Sequence, residues 1–461
     1  MITASHNPKT DAGYKLYWND GCQIRPPMDE GIQSCILQNL QPWMDYGKLL
    51  SSLQTDSMDV CCGLSHPQLT REVTREYFHA IQKSGLVTGQ ASLLLLLQTQ
   101  HFTPPKFAYT AMHGVGREVA AKVFEIFGLL PQFHSVPSQE LPNPEFPTVK
   151  FPNPEESGAL DLAMEFAEQH DCHIVLANDP DADRLAVAER NPTTGEWTVF
   201  KGDEIGTMLG YWLWQQIGTS SEKPVAMCAS TVSSNMLAEI ARVCNFHFEE
   251  TLTGFKWIGS RAQQMAKEEG YNSLFCYEEA IGFCCGNVVY DKDGISALGV
   301  LAELAMYTYS QHKTLAQHMQ SLYEKFGEFV SHNGYFLCYD SSTVNKILDD
   351  MKNDGAYMDS VGPYEVESIR DLSPPGYDSS TVDKRPTLPT SSSSPMITIR
   401  FQNGCVAQFR GSGTEPKFKY YLELKGQPGV ARSVVTKELE TMSAVVLEEL
   451  LHPEANGLVL P

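Results

Sequence analysis

Asp179, Asp181 and Asp183 stand at alternate positions in the run Asn178-Asp179-Pro180-Asp181-Ala182-Asp183-Arg184. Three close carboxylates repel one another unless a cation sits among them. A hard divalent ion such as Mg2+ takes oxygen ligands of this kind, commonly with a phosphate oxygen beside them. Alternate residues of an extended chain point the same way, and a turn after Pro180 would also bring them together. An acidic surface turn could use the same residues. Their place just beyond the apolar run Ile174-Val175-Leu176-Ala177 favours a ligand site at the carboxyl end of a strand. No Glu follows at the spacing of a calcium loop.

Four other runs carry possible chemistry. Ser5-His6-Asn7-Pro8-Lys9 places a hydroxyl beside a base, with a cation four residues on, which suits a phosphoryl-carrying serine. A solvated polar terminus would read the same way. Arg410-Gly411-Ser412-Gly413-Thr414-Glu415-Pro416-Lys417 lies between two strand-like runs. Its glycines free backbone N–H groups to face one centre, and Arg410 adds a planar fork matched to phosphate. A plain glycine-rich hairpin is the alternative, and the pattern of a nucleotide P-loop is absent. Glu278 and Glu279 suit sugar hydroxyls or a solvated turn, and Lys292 in Lys292-Asp293-Gly294 is a turn residue or a positioned cation. The loop from Tyr109 to Gly116 could face an anion at a helix start or simply pack a strand tightly on a helix, with His113 an ordinary loop residue.

These runs need elements to hold them. A short aromatic-rich strand is expected at 13–18 and a helix at 65–84, with an apolar face from Leu69, Val73, Phe78 and Ile81. Then come a strand at 107–110, a helix through Val119, Val123, Phe124 and Phe127, a helix at 158–170 and a strand at 173–177. Residues 185–189 and 197–200 read as a hairpin. Helices at 204–217, 234–243, 259–268 and 294–310 alternate with strands at 225–229 and 273–276, with a loop at 253–258. Such alternation predicts parallel sheets covered by helices. Strands at 396–402, 405–410 and 418–424, the loop 411–416 and a helix at 433–450 predict an α+β tail, with 370–397 a surface excursion.

Bulk properties narrow the classes. At roughly 150 residues per domain, 461 residues suggest about three compact units. With 34 Lys+Arg against 56 Asp+Glu, the net charge of -22 opposes binding to a nucleic-acid backbone. A phosphorylated metabolite would need a locally basic pocket or a metal. The first residues lack a signal peptide's basic and apolar regions, and the apolar run Leu93–Leu97 is far too short for a membrane span. Twelve cysteines without a Cys-x-x-Cys pair suggest buried thiols in a reducing compartment, hence a cytoplasmic protein.

Taken together, the runs resemble the α-D-phosphohexomutase family, and within it the eukaryotic phosphopentomutase/phosphoglucomutase branch. The resemblance covers most of the chain, with the motifs in order. It implies that Ser5 is the phosphorylated residue, with His6 and Lys9 as its catalytic neighbours. Asp179, Asp181 and Asp183, with Ser5, would hold Mg2+, and Arg184 would be the active-site arginine. Gly254-Phe255-Lys256-Trp257 is similar to the specificity loop, with Lys256 and Glu278 on the sugar and Lys292 in acid/base work. Arg410, Ser412, Gly413, Thr414 and Lys417 would bind the distal phosphate.

The implied fold is α/β, with three mixed-sheet domains and a C-terminal α+β domain around a central cleft. The segments would be 1–84 (a truncated first domain), 105–201, 202–320 and 325–461. The implied reaction exchanges ribose or deoxyribose 1-phosphate with the 5-phosphate through a sugar bisphosphate, with glucose 1-phosphate/6-phosphate second. A sugar bisphosphate would be the activator, and the chain is expected to act as a monomer on small phosphosugars.

Four departures stand out. Ser5 lies almost at the start, so the strand ending at Ile2 is expected to lack partners. Residues 82–105 do not match the usual interdomain linker. Ala280 replaces a sugar-contacting serine. Gly411 replaces a larger residue, which is expected to add flexibility. Two further readings stay open: a glucose-1,6-bisphosphate synthase, and an inactive isoform that only binds phosphosugars.

Overall fold

The computed structural model describes residues 1–42, 45–48, 67–89, 102–392, 395–411, 417–427 and 429–460. They form two compact units. One holds Met1–Ala229, Phe246–Glu249 and Thr253–Ala316, the other Ser230–Asn245, Glu250–Leu252 and Gln317–Pro461. Among the described residues no helix is long and apolar enough to cross a membrane.

The serine segment is irregular. In place of a strand at 13–18 there are two isolated antiparallel bridges, Ile2 with Tyr14 and Tyr17 with Gln23. Ile2 therefore does have a partner, but both residues are exposed, so no core extends the ladder. Helices α1 (Met28–Gln38) and α2 (Pro67–Lys83) come next. On α2, Phe78 and Ile81 are buried as expected, whereas Val73 is exposed.

The chain continues through β1 (Phe107–Thr110), α3 (Gly116–Ile126), β2 (Phe133–Ser135), α4 (Asp161–Gln169), β3 (Ile174–Ala177), β4 (Ala186–Arg190) and β5 (Trp197–Val199). Their sheet has the order β2-β1-β3-β4-β5. β2, β1 and β3 are parallel, while β4 and β5 run antiparallel, so the sheet is mixed rather than purely parallel. β1 and β3 are buried at every position, as parallel strands covered on both faces must be.

The second sheet draws on α5 (Gly202–Gln216), β6 (Val225–Ser230), α6 (Met236–Cys244), β7 (His247–Thr251), α7 (Phe255–Lys267), β8 (Asn272–Glu278), β9 (Gly282–Cys285) and α8 (Gly294–Ser310). Its order is β7-β6-β8-β9, with β6 and β8 parallel and β9 turned back on β8. The loop expected at 253–258 is shorter. Gly254 breaks the chain at φ 96°, and α7 starts at once because Phe255, Ile258, Ala262 and Met265 already share a buried face. Cys228 pairs with Cys276 across β6 and β8, and Cys276 with Cys284 across β8 and β9, so three buried thiols stand in one row.

Helix α9 (Leu315–Phe326) begins on a buried carboxylate. Glu189 accepts hydrogen bonds from the Leu315 N–H at 2.6 Å, the Ala316 N–H at 2.9 Å and the Tyr309 hydroxyl at 3.0 Å. The two backbone donors belong to the helix N-terminus, where a carboxylate is favoured.

The second unit is built on an antiparallel sheet. Its elements are β10 (Phe329–Leu337), α10 (Ser341–Lys352), β11 (Ser360–Val361), β12 (Tyr364–Asp371), β13 (Tyr377–Asp378), β14 (Met396–Phe401), β15 (Cys405–Gly411), β16 (Lys417–Lys425) and α11 (Arg432–Leu451). The order is β10-β16-β15-β14-β12-β11, with β13 on β12. β16 alternates strictly, with Phe418, Tyr420, Leu422 and Leu424 buried. Residues 370–397 are not wholly an excursion: Leu372 is buried and packs with Val232 and Met396. Gly411 is the last residue of β15, paired with Phe418, and a Cβ there would come within 2.8 Å of Val344 Cγ1. It admits close packing and does not loosen a loop.

Candidate active site and metal centre

The aspartates converge through a turn. β3 ends at Ala177, and Asn178 anchors the turn beyond it: it accepts from the Tyr109 hydroxyl at 2.9 Å and donates to the Arg184 carbonyl at 2.5 Å. The Ala182 N–H closes on the Asp179 carbonyl at 2.9 Å, with Ala182 at φ 62°. Asp179, Asp181 and Asp183 each then offer a carboxylate oxygen within 4.8 Å of the others.

The serine loop reaches this turn. The Ser5 hydroxyl lies 3.3 Å from Asp179 Oδ2, 3.5 Å from Asp181 Oδ1 and 3.2 Å from His6 Nδ1. The Thr3 hydroxyl donates to Asp181 at 3.0 Å and accepts from the Ser5 N–H at 2.8 Å. Ser5 itself has φ 55°, a left-handed conformation uncommon outside glycine.

Three cations offset the carboxylates. Lys15 Nζ meets Asp181 at 3.2 Å and Asp183 at 2.9 Å, and Lys292 Nζ meets Asp183 at 3.4 Å. Arg184 Nε lies 3.9 Å from Asp179, and its Nη1 is 3.6 Å from Glu155. Lys9 is placed differently from expectation. A turn closed by the Asp11 N–H on the Pro8 carbonyl carries it outward, and its ammonium pairs with Glu145 at 2.6 Å on the surface. The chain then returns, the Lys15 N–H bonding the Met1 carbonyl, and Lys15 takes the inner position.

The charge balance follows from burial and neighbours. Burial, with Asp183 and Asp181 beside it, pushes the Asp179 carboxyl well above its ordinary value. Burial also acts upward on Asp183, but Lys292, Lys15 and Arg184 more than offset it and hold its carboxyl low. Carboxylates outweigh burial at both lysines, Asp183 and Asp181 at Lys15 and Asp183, Glu278 and Asp291 at Lys292, so both ammoniums are held above their ordinary values. Burial and the Arg184 charge bring His6 down to about 4, so its ring is neutral near pH 7.

These residues fit a hard divalent cation. Three carboxylates and a hydroxyl supply oxygen donors only. Asp183 Oδ1 is buried and accepts no hydrogen bond among the described residues; its one recorded ion-pair contact is Arg184 Nε, 4.0 Å away.

Glu278 ends β8, where burial raises its carboxyl despite Lys292 and Arg184 nearby. Gly282 faces it across the hairpin, and a Cβ there would overlap Lys292 Cδ, so the missing side chain lets Lys292 through. Lys256 sits in the first turn of α7, half-buried, its ammonium 5.7 Å from the centre of the Trp257 ring. In the second unit, the Arg410 guanidinium lies 5.9 Å from the Tyr421 ring centre and Lys417 Nζ 4.4 Å from that of Tyr335. Ser412, Gly413 and Thr414 lie outside the described residues. His113 is buried and bonds Thr148 at 2.8 Å, a packing contact. Sequence reasoning missed Lys15 and Thr3. Lys15 had only its nearness to the serine as a signal, since its role depends on the chain doubling back.

Profiles of the phosphoglucomutase/phosphomannomutase α/β/α domains I, II and III match residues 1–42, 76–195 and 201–326. This chain belongs to the phosphoglucomutase/phosphomannomutase family. Within this phosphohexomutase family, human phosphopentomutase is 43% identical over 468 residues, spanning 99% of this chain and 73% of the relative. Human glucose 1,6-bisphosphate synthase is 41% identical over 469 residues, spanning 100% and 72%. Among solved structures, a Thermus thermophilus protein assigned as a phosphomannomutase matches with a TM-score of 0.59 at 16% identity. That match covers 97% of this phosphohexomutase chain and 76% of the other, and it is a likeness of fold.

Proposed function

We propose that this chain moves a phosphoryl group between two hydroxyls of a phosphosugar, with Ser5 as the carrier. Its main substrates are ribose and deoxyribose 1-phosphate and 5-phosphate, and glucose 1-phosphate and 6-phosphate are secondary. The observation that carries this reading is the Ser5 hydroxyl 3.3 Å from Asp179, among three carboxylates and three cations.

Asp179, Asp181, Asp183 and Ser5 would hold Mg2+, which when bound supplies charge stabilisation for the phosphoryl in transfer. Phosphorylated Ser5 gives its phosphoryl to the free hydroxyl of a sugar monophosphate. The Ser5 Oγ–P bond breaks as the sugar O–P bond forms, and the sugar hydroxyl proton is relayed through a neighbouring base to the freed Ser5 Oγ. The bisphosphate turns over, and Ser5 takes the other phosphoryl. In that second step the Ser5 proton passes to His6 Nδ1, 3.2 Å away and neutral, and the sugar oxygen takes up a proton as its O–P bond breaks. Lys292, held charged by Asp183 and Glu278, faces the incoming phosphate as a cation and can donate a proton but not accept one. Arg184 keeps the carboxylates oriented, and Lys15 offsets the charge of Asp181 and Asp183. Arg410, Ser412, Gly413, Thr414 and Lys417 hold the distal phosphate, Lys256 and Glu278 contact the sugar, and a sugar bisphosphate restores phosphorylated Ser5. Lys9, on Glu145, lies at the rim and draws no step.

The pentose preference is supported by the identity to human phosphopentomutase and by Ala280, which lacks a hydroxyl for selecting a hexose. The test is conversion of ribose 1-phosphate to ribose 5-phosphate with Mg2+ and a bisphosphate primer. Ser5→Ala is expected to abolish both turnover and phosphate incorporation; an unchanged rate in that variant refutes the carrier role. Synthase activity is the second reading, favoured by 41% identity to human glucose 1,6-bisphosphate synthase. It would appear as acyl-phosphate-driven phosphorylation of glucose 1-phosphate outrunning isomerisation.

A further inference from the structure

Tyr77 lies on α2, outside the serine loop, the aspartate turn and the phosphate-loop run. Its hydroxyl bonds both oxygens of Asp293, at 2.9 and 2.8 Å. Asp293 is buried and caps α8, accepting from the N–H groups of Ile295 and Ser296 at 3.1 Å each. Its own N–H is tied to the Phe283 carbonyl at 2.8 Å. The residue before it is Lys292 and the residue after it is Gly294. A Cβ at Gly294 would overlap the Arg184 carbonyl, so the start of α8 is seated directly on the end of the aspartate turn. Lys292 therefore leaves the backbone from a fixed point. Its ammonium reaches Asp183 while also lying 5.5 Å from the centre of the Phe255 ring.

We propose that Tyr77 is a positioning residue that acts through Asp293 to set Lys292 and the start of α8 against the aspartate turn. A carboxylate that caps a helix through one oxygen can still rotate about its own bonds. A second donor that spans both oxygens removes that freedom. The buried charge also loses a donor if the hydroxyl goes, and a buried carboxylate short of a partner draws in water or shifts. Either change moves Lys292 relative to Asp183. The proposal rests on the phosphotransfer reading for its effect on rate but not for its effect on Lys292.

The experiment uses the full chain and two readouts. Acetic anhydride labelling, with mass spectrometry of Lys292 and Lys15, needs no turnover. Tyr77→Phe is expected to raise the Lys292 labelling rate several-fold while Lys15 stays unchanged. Mutase kinetics are the second readout: Tyr77→Phe is expected to lower kcat about tenfold with KM nearly constant. In an Asp293→Asn background the same substitution should change neither readout. Equal loosening of Lys292 and Lys15, unchanged Lys292 labelling, or the same loss in both backgrounds overturns the proposal. If the parent chain shows no turnover, the phosphotransfer reading fails while the labelling result still decides the role of Tyr77.

Discussion

Lys15 bridges Asp181 and Asp183 with one ammonium, the place where a divalent cation would put two charges. The two compete electrostatically at contact distance. Lys15→Met should therefore bind Mg2+ several-fold more tightly, read by calorimetry, and gain more thermal stability from the ion than the parent does. Unchanged or weaker binding would contradict this. At the same scale, the aspartates and Ser5 were legible because each set is contiguous and its chemistry depends on residue type. Lys9 and Lys15 were not separable that way. Both are lysines near the serine, and only the turn at Pro8 to Asp11 and the return to Met1 decide which one faces inward.

Glu189 shows what an element can ask of one side chain. Burial raises its carboxyl above the ordinary value even though it accepts from Ala316, Leu315 and Tyr309. Removing it strands the first N–H groups of α9 in a dry site. Glu189→Ala is expected to cost about 2–3 kcal/mol in urea unfolding, with Glu189→Gln, which keeps an acceptor, costing less. A loss no larger for Ala than for Gln would exclude the cap. Nothing in the sequence marked this residue beyond its place at the end of a hairpin strand. The elements themselves were more legible. Helix α8 lies at its expected bounds, and β14, β15 and β16 lie within a residue of theirs, because apolar runs and strict alternation specify them locally. β7 escaped notice because His-Phe-Glu-Glu-Thr is polar and half-buried, and β9 because a four-residue apolar run carries no period of its own.

At the scale of the molecule, the compact units do not follow the chain in simple blocks. Residues 230–245 and 250–252 cluster with 317–461. Glu250 is one charged tie in that cluster, bonding Arg370 at 2.8 Å and Arg400 at 3.3 Å, while Thr231 shares the Arg370 contact at 2.6 Å. Burial acts to raise Glu250, but the two guanidiniums prevail and hold its carboxyl below the ordinary value of about 4.5. A carboxyl held low in the folded state stabilises it above that ordinary value and loses the effect as pH falls through the folded one. The melting-temperature gap between the parent and Glu250→Gln should thus be full at pH 7 and shrink as pH falls below about 4.5. A gap that is flat across that range would rule out the ion pairs as its source. No local pattern announces this tie, since its members come from stretches more than a hundred residues apart.

The thiol row of the second sheet gives the protein an internal clock. Cys228, Cys276 and Cys284 are buried side by side across three strands, whereas Cys35 is exposed. A thiol reagent meets Cys35 at once and the row only when those strands part. Under native conditions the lag between the two reactions measures how often that sheet opens while the rest of the chain stays folded.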